Sequence, residues 1–196
     1  MHTDNTEAET LDRADMARLA GGHDAALNDL MERHATPVFH FLCRMLNNED
    51  DANDLAQETF VRVFQARASF DPKRKFSTWL FTIAANLGRN QIRWRTRHPN
   101  VSLDAPVGVA EEPLGHSLPD TVATPKERAL AVERTAAVRA AVNALPADLR
   151  AAIVLCEWEE RTVAEAAEVL EATPKAIESR LYRARQLLRE ELKRWL

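Results

Sequence analysis

The chain has 196 residues and a formal net charge of −4. Its length suffices for one ordinary domain or two small ones, and its apolar content of 45% is enough for their cores. Its two cysteines, Cys43 and Cys156, lie far apart and outside any CxxC pair, which argues against a disulfide framework and a thiolate metal site. No segment reaches the roughly 18 apolar residues of a membrane span, and the acidic start lacks an apolar core, so we expect a cytoplasmic protein without a membrane span.

Charge is unevenly distributed along the chain. Residues 60–97 hold nine cations against the single acid Asp71, a local charge of +8, and residues 173–196 carry +4. This leaves −16 for the remainder of the chain. Two basic patches on an acidic body favour contact with nucleic acid and with a basic partner.

The first predicted helix with a charged face covers residues 51–64. Asp51, Asp54 and Glu58 follow one another at i, i+3 and i+7 and form an acidic stripe, while an apolar stripe lies on another face. That apolar stripe consists of Ala52, Leu55, Thr59, Phe60 and Val63. Alone, the acidic stripe is explained most simply as a solvated surface. A basic protein partner becomes a serious alternative because of the sequence that follows.

A basic loop and a second helix come next. Asp71-Pro72 opens a loop with three consecutive cations, Lys73 to Lys75, and Ser77-Thr78 is predicted to cap a helix that starts near Trp79. The predicted inward residues of this helix are Leu80, Ile83, Ala84, Leu87 and Trp94. The outward stripe is Asn86, Arg89, Arg93 and Arg97.

This outward stripe has the chemistry of a DNA-binding surface. An asparagine can read a base edge, arginines can neutralise phosphates, and Phe76 and Trp79 could stack on an extruded base. The alternative is that the aromatic residues Phe70, Phe76, Trp79 and Phe81 belong to the core, and we expect at least two of them to do so.

Residues 98–125 have the composition of a linker. They contain five of the nine prolines, four acids and neither lysine nor arginine. Fully extended, the segment could span about 90 Å. We therefore predict an all-α protein of two small helical domains, residues 1–97 and 126–196, joined by a flexible acidic linker.

The second domain contains a predicted helix-turn-helix. Thr162 to Glu165 form a capping box, and the apolar stripe that follows ends at the turn Glu171-Ala172-Thr173. Thr173 and Pro174 then begin a long basic helix. On this helix Lys175, Ser179 and Arg180 are predicted to face bases, and Arg183 and Arg185 to face the phosphate backbone. Glu171 stands where such turns often carry glycine.

Four motifs in this order resemble the extracytoplasmic-function (ECF) sigma factors, which direct bacterial RNA polymerase to promoters. DANDLAQETFVRVF is similar to region 2.2, FDPKRKFSTWLFTIAANLGRNQIRWR to regions 2.3 and 2.4, ALPADLRAAIVL to region 4.1, and TVAEAAEVLEATPKAIESRLYRARQLLRE to region 4.2. The resemblance covers nearly everything after residue 20. Asn90, where relatives often have Asp, and the helical Gly88 depart from the family pattern.

The resemblance implies roles for the matching positions. Residues of the acidic helix would bind the β′ clamp helices of core RNA polymerase: Asp51, Asp54, Leu55, Gln57, Glu58 and Phe60. The loop and following helix would hold the melted −10 element through Lys75, Phe76, Ser77, Thr78, Trp79, Asn86, Arg89 and Arg93. The −35 element would contact Lys175, Ser179, Arg180, Arg183 and Arg185. The resemblance also implies a contact with the β flap, an acidic linker near the RNA exit channel, and an anti-sigma factor as regulator.

Two other classes of protein compete with this interpretation. A stand-alone helix-turn-helix regulator would explain the second domain but not the acidic stripe and the basic loop. An enzyme is disfavoured because no metal-ligand or phosphate-cradling motif is present, and we expect no cofactor. Among the histidines and cysteines considered, a helix would bring only His40 and Cys43 together, at i and i+3, and ordinary packing is the simpler explanation for them.

Overall fold

The computed structural model describes residues 2–98 and 125–195, with side chains described over 7–98 and 130–195. These residues form eight α-helices: α1 (His2–Ala20), α2 (Ala26–Leu46), α3 (Glu49–Ala66), α4 (Phe76–Arg97), α5 (Pro125–Ala144), α6 (Ala147–Glu157), α7 (Val163–Val169) and α8 (Pro174–Glu191). Short 3-10 turns follow α3 and α8, and no strand occurs in these ranges. The predicted all-α class with two helical domains is confirmed. The predicted linker lies almost wholly outside the described residues.

Helix α2 is the centre of the first domain and contacts α1, α3 and α4. Its buried face includes Phe41, whose ring meets Phe81 of α4 edge-on at 5.4 Å between centroids. The turn from α2 into α3 is tight: Asn47 adopts a left-handed conformation, and the Asn48 side chain caps α3 by accepting from the Asp51 amide. This turn sets α2 and α3 side by side and directs the acidic stripe outward.

Helix α1 is attached to the domain through a buried polar cluster. Asp12 and Asp15, 3% and 7% exposed, accept hydrogen bonds from Arg33 at 2.9 and 2.5 Å. Asp12 also lies 2.8 Å from the Nε2 atom of His34, whose ring packs 5.2 Å from Phe76 at the start of α4. Desolvation acts to lower the pKa of Arg33, but the hydrogen bonds that Arg33 donates to Asp15 and Asp12 raise it overall. The cluster thus connects α1 to the base of the basic loop.

The helix-turn-helix of the second domain forms as predicted. The Thr162 hydroxyl accepts from the Glu165 amide while the Glu165 carboxylate accepts from the Thr162 amide, which confirms the capping box. Thr173 caps α8 and Pro174 occupies its first turn. In the turn between α7 and α8, Glu171 has φ of +50°, a left-handed conformation, which explains why glycine suits this position.

Two predictions for the helix that follows the basic loop, α4, are wrong. Helix α4 begins at Phe76 without a side-chain cap, because Ser77 accepts a hydrogen bond from Arg161 and Thr78 is buried. Trp94 does not point inward; it is 45% exposed and stacks on His98 at 5.0 Å. Gly88 does not interrupt the helix and lies against Leu42 of α2.

The two domains pack against each other. Helix α2 contacts α5 and α6, and α4 contacts α6 and α7. At the first of these contacts the Arg150 guanidinium donates across the interface to the Met45 carbonyl at 2.6 Å, and Arg44 forms an ion pair with Glu159 at 3.1 Å. No sequence pattern predicted this arrangement, which joins residues more than a hundred positions apart.

Candidate nucleic-acid interface

Of the three carboxylates predicted to form the acidic stripe of α3, Asp54 is the most exposed. Asp54 and Gln57 are exposed, whereas Asp51 forms an ion pair with Arg95 and Glu58 pairs with Arg62 at 2.8 Å. These intramolecular pairs neutralise part of the predicted stripe. Leu55 is half-buried, so its role in partner binding stays a prediction. The exposed negative charge of this face therefore comes from Asp54 and from Asp50, one turn earlier on α3.

A shallow groove of about 210 Å³ runs between α2 and α3 beside Asp54. It is lined mostly by apolar side chains, including Met31, Phe39 and Phe60, with Asn53 and Gln57 at its polar side. Phe60 is only 3% exposed, so in this conformation it forms the floor of the groove and presents little surface of its own. An apolar groove beside an exposed acid can accept an amphipathic helical partner.

The basic loop is short and well defined. The Asp71 carboxylate accepts from the Lys73 amide at 2.9 Å, and the Asp71 carbonyl accepts from the Arg74 amide at 3.0 Å. Both bonds fold the loop back on itself, and Lys73 and Lys75 are exposed. Three cationic side chains in sequence can bind phosphates or carboxylates.

A cluster of aromatic side chains packs together where this loop begins and ends. The Phe70 ring lies 5.1 Å from Trp79 and 6.1 Å from Phe76. Phe76 and Phe81 are buried, so the expectation that at least two of the four aromatic residues are core is confirmed. Phe76 and Thr78, predicted to contact a melted strand, are 2% and 1% exposed, so neither reaches a ligand directly in this conformation. Phe70 and Trp79 are half-buried and are the aromatic side chains that remain partly accessible at the loop.

A polar cleft of about 530 Å³ opens between α3 and α4 next to Trp79. Arg62, Gln65 and Ser69 line one side, and Trp79, Ile83 and Asn86 line the other. The side-chain oxygen of Asn86, Oδ1, accepts a hydrogen bond from Arg89 at 2.5 Å, which fixes the orientation of the side-chain amide. Arg93 is exposed one turn after Arg89. An aromatic wall, an oriented amide and a cation together can hold an unstacked base.

The recognition helix α8 presents a narrower basic face than predicted. Lys175, Ser179 and Arg183 are exposed, but Arg180 is half-buried with its Nη1 atom buried and without a partner, because it lies on the flank of the packed face. The outward orientation predicted for Arg180 is thus wrong in part. Arg185 is bound to Glu157 of α6 at 2.6 Å.

Tyr182 is a surface residue that the sequence analysis missed. It is 66% exposed and lies three residues after Ser179, on the same side of α8. An outward tyrosine at i+3 from Ser179 and i+7 from Lys175 was the available signal, because this spacing places all three on one side of the helix.

The second domain covers the basic loop with acidic side chains. Glu168 of α7 forms an ion pair with Arg74 at 2.6 Å, and Glu165 pairs with Lys75 at 3.0 Å. Arg161 donates to the Ser77 hydroxyl at 3.0 Å and lies over the Phe81 ring at 4.6 Å. Burial alone would raise the pKa of Glu165, but hydrogen bonds from Lys75 and Thr162 lower it overall.

Burial shifts the acid-base properties of several side chains at the domain interface. Desolvation raises the pKa of Glu159 to about 7, and the nearby cations Arg44 and Arg161 offset only part of this effect. Desolvation also lowers the pKa of Arg150 and of Arg161. All three residues therefore lie in a partly dehydrated environment at the contact between the domains.

Among residues 2–98 and 125–195 no cluster of three metal-ligating side chains occurs, and no helix is both long and apolar enough to cross a bilayer. Cys43 is partly buried, and desolvation raises the pKa of its thiol to about 11. A metal role for His40 and Cys43 therefore remains without support.

Two compact helical bodies, one with a basic loop and one with a helix-turn-helix, define a two-domain DNA-binding protein. The family model for Sigma-70 region 2 matches residues 30–98, and the one for Sigma-70, region 4 matches residues 135–188. The ECF RNA polymerase sigma factor SigW of Bacillus subtilis is 33% identical over 88% of this chain and 91% of its own length. The chain belongs to the sigma-70 family and, within it, to the ECF sigma factors.

Solved structures agree with this assignment. CnrH, in complex with the cytosolic domain of CnrY, superposes with a TM-score of 0.68 and 29% identity, covering 93% of this chain and 97% of CnrH. The sigma factor RpoE of Bartonella quintana, in complex with the anti-sigma factor NepR, gives a TM-score of 0.65 and 25% identity, covering 85% of this chain and 96% of RpoE. The resemblance seen in the sequence is therefore confirmed at the level of the fold.

Proposed function

We propose that this ECF sigma factor binds core RNA polymerase through α3 and the adjoining α2–α3 groove. Asn53, Asp54 and Gln57 are exposed polar residues of that face, and the groove offers apolar surface next to them. The β′ clamp helices are the partner implied by the resemblance, with the β flap as a second contact for the second domain. Charge complementarity at Asp54 would orient the encounter, and the groove would supply the apolar burial.

Promoter DNA is the second proposed partner. The exposed cations of the basic loop and the cleft formed by Trp79, Ile83 and Asn86 would bind the melted −10 element. Lys175, Ser179 and Arg183 on α8 would enter the major groove of the −35 element, with Tyr182 as an additional contact. Phe76, Thr78 and Phe60 are buried, so they would support these surfaces by packing beneath them and would not contact the partners directly.

The observation that carries the proposal is the presence of both family regions in one chain, each on its own helical body. The test is run-off transcription by core RNA polymerase, with and without the purified chain, on a pool of genomic templates. We expect discrete transcripts only when the chain is present. Arg183→Ala should reduce transcription from those start sites, and Arg189→Ala, an exposed arginine near the end of α8, serves as the matched control.

The stand-alone regulator is the less favoured interpretation, because the region 2 match covers the first domain. Gel filtration with core RNA polymerase separates the two interpretations. Co-elution supports a sigma factor, whereas operator binding without co-elution would support the regulator. Failure to direct start-site selection on core enzyme would refute the proposal.

Control by an anti-sigma factor inside the cell is a further part of the proposal. It is supported by the solved RpoE relative, which is bound to the anti-sigma factor NepR. We expect a protein that co-purifies with this chain from its own cells to lower run-off transcription when it is added back. If none of the proteins that co-purify stably with this chain lowers run-off transcription, this part of the proposal is contradicted.

A further inference from the structure

We infer that α1 positions the surface that captures the melted strand, and that it does so through Asp12, His34 and Phe76 without contacting DNA itself. The inference rests on the proposed role of the basic loop and of the cleft beside Trp79 in promoter binding. It gives a function to a helix that precedes the region 2 match. Asp12 and His34 are positioning residues in this scheme, because they act through other side chains.

The first part of the link is a carboxylate buried between α1 and α2. The Asp12 side chain is 4% exposed, and its Oδ1 atom accepts a hydrogen bond from Arg33 at 2.9 Å. Its Oδ2 atom lies 2.8 Å from the Nε2 atom of His34, whose side chain is 13% exposed. An ionised carboxylate can only accept hydrogen bonds, so the proton of this bond belongs to Nε2 of His34. Asp12 therefore holds the imidazole in one tautomer and one orientation.

The second part of the link is a chain of ring contacts. The ring of His34 lies 5.2 Å from that of Phe76, the buried first residue of α4. The Phe76 ring lies 6.1 Å from Phe70 and 6.1 Å from Trp79. Because Phe70 precedes the basic loop and Phe76 follows it, these rings hold both ends of the loop. Trp79 is in turn a wall of the polar cleft.

Anchoring of α1 does not by itself require His34. Asp15 of α1 accepts a hydrogen bond from Arg33 at 2.5 Å, and Met16 is buried in the core. These contacts already attach α1 to α2. The ring of His34 differs from the Arg33 side chain in that it also contacts Phe76 of α4. The bond between His34 and α1 is therefore best explained by what it does to the aromatic cluster.

Fixed orientation matters because the proposed strand site combines a loop with an aromatic wall. Stacking on a base requires that the indole of Trp79 present its face to the cleft. Without the bond to Asp12 the imidazole of His34 is free to rotate, and Phe76 loses a fixed neighbour. A smaller fraction of molecules then has the loop and Trp79 in the binding arrangement. The affinity for the strand falls in proportion to that fraction.

Two variants of the full chain break the link at different points. His34→Phe keeps a ring against Phe76 but removes the donor to Asp12, and it leaves the bonds from Arg33 to α1 in place. Asp12→Asn keeps the shape of the side chain but replaces one acceptor oxygen with a donor, which faces the donors of Arg33 and His34. The matched control is His40→Phe, the same exchange at a half-buried position on another face of α2.

Two measurements separate positioning from a loss of stability. Each chain is assembled with core RNA polymerase, and anisotropy reports binding of two labelled probes from a start site found by run-off transcription. One probe is the non-template single strand and the other is the upstream duplex, and core enzyme alone gives the baseline. The second measurement is fluorine NMR of the free chain labelled with 5-fluorotryptophan, in which Trp79→Phe assigns the resonance of Trp79.

We expect both variants to bind the single strand about fivefold to tenfold more weakly than the control variant does, with unchanged affinity for the upstream duplex. The resonance of Trp79 should shift or broaden, while that of Trp195 in the second domain stays in place. Unfolding would lower both affinities together, so the difference between the two probes is the signature of positioning. If Asp12→Asn does not fold, His34→Phe decides the question, because it keeps the ion pairs of α1.

A strand affinity of His34→Phe equal to that of the control would overturn the inference and leave the proposed promoter role intact, even if the Trp79 resonance moves. An equal loss for strand and duplex would overturn it as well. If the wild-type holoenzyme binds the strand no more tightly than core enzyme alone, the −10 assignment falls and the inference falls with it.

Discussion

Replacing Arg150 with methionine is expected to destabilise the protein by about 2–4 kcal/mol, because one guanidinium holds three carbonyl groups in two domains. It donates to Met45 at 2.6 Å, to Leu145 at 3.1 Å and to Asn143. Met45 is in the last turn of α2, and Asn143 is in the last turn of α5. Arg150 thus satisfies carbonyls at the ends of two helices, where no intrahelical partner exists.

The magnitude follows from two opposing effects. A hydrogen bond to a charged group contributes about 1.5–3 kcal/mol, so three such bonds set the upper limit of the loss. Removal of the guanidinium also relieves the desolvation that lowers its pKa, and it removes a buried Nε atom that has no hydrogen-bond partner. Methionine keeps the apolar part of the side chain, so the measured loss reports mainly on the polar contacts.

Urea unfolding followed by far-ultraviolet circular dichroism measures the effect, and calorimetry reports on the coupling between domains. Arg189→Met is the matched control, because Arg189 is exposed near the end of α8. We expect the Arg150 variant to unfold in two resolved steps, since the bond to Met45 joins the domains. A difference from the control below about 0.5 kcal/mol would refute the role assigned to this side chain.

Three further predictions concern other parts of the molecule. Asp54→Ala should weaken binding to core RNA polymerase in gel filtration while leaving the unfolding curve unchanged, and wild-type binding would show that this face is not the contact. Gly88→Ala should stabilise the chain by about 0.5–1 kcal/mol in urea unfolding, because an added Cβ atom meets Leu42 at an ordinary 3.4 Å and alanine favours the helix; destabilisation would contradict this. Because the pKa of Glu159 is raised, the folded chain binds the carboxyl proton of Glu159 more tightly than the unfolded chain does. The stabilisation that this protonation gives is fully present below pH 4.5 and is lost as the pH rises through about 7. The loss amounts to at most about 3 kcal/mol. Glu159→Gln should flatten this part of the pH profile of stability, and parallel profiles would refute the assignment.

The features that were correctly predicted from sequence are local ones. The Thr162 capping box, the Thr173 cap and the turn from Glu171 to Thr173 each depend on residues within four positions of one another. Such interactions are determined by propensity and hydrogen-bonding chemistry before any domain forms. The helix-turn-helix could therefore be placed almost residue by residue.

The errors arose where distant residues decide the outcome. Ser77 is an acceptor for Arg161, 84 positions away, so its local capping signal was overridden. Trp94 followed an apolar period but lies at the end of α4, where nothing in the first domain covers it. Ion pairs such as Arg74 with Glu168 leave no trace in helical periodicity, because both residues look like ordinary solvated charges.

Helix α1 has a practical consequence for how the protein is divided. The region 2 match starts at residue 30, yet Met16 and Leu19 of α1 are buried, and Asp12 and Asp15 hold Arg33 and His34 in place. A fragment cut at the matched boundary would strip these two basic side chains of their acids and uncover part of the core. Expression of the amino-terminal half for crystallography or NMR should therefore retain α1 as an integral part of the fragment.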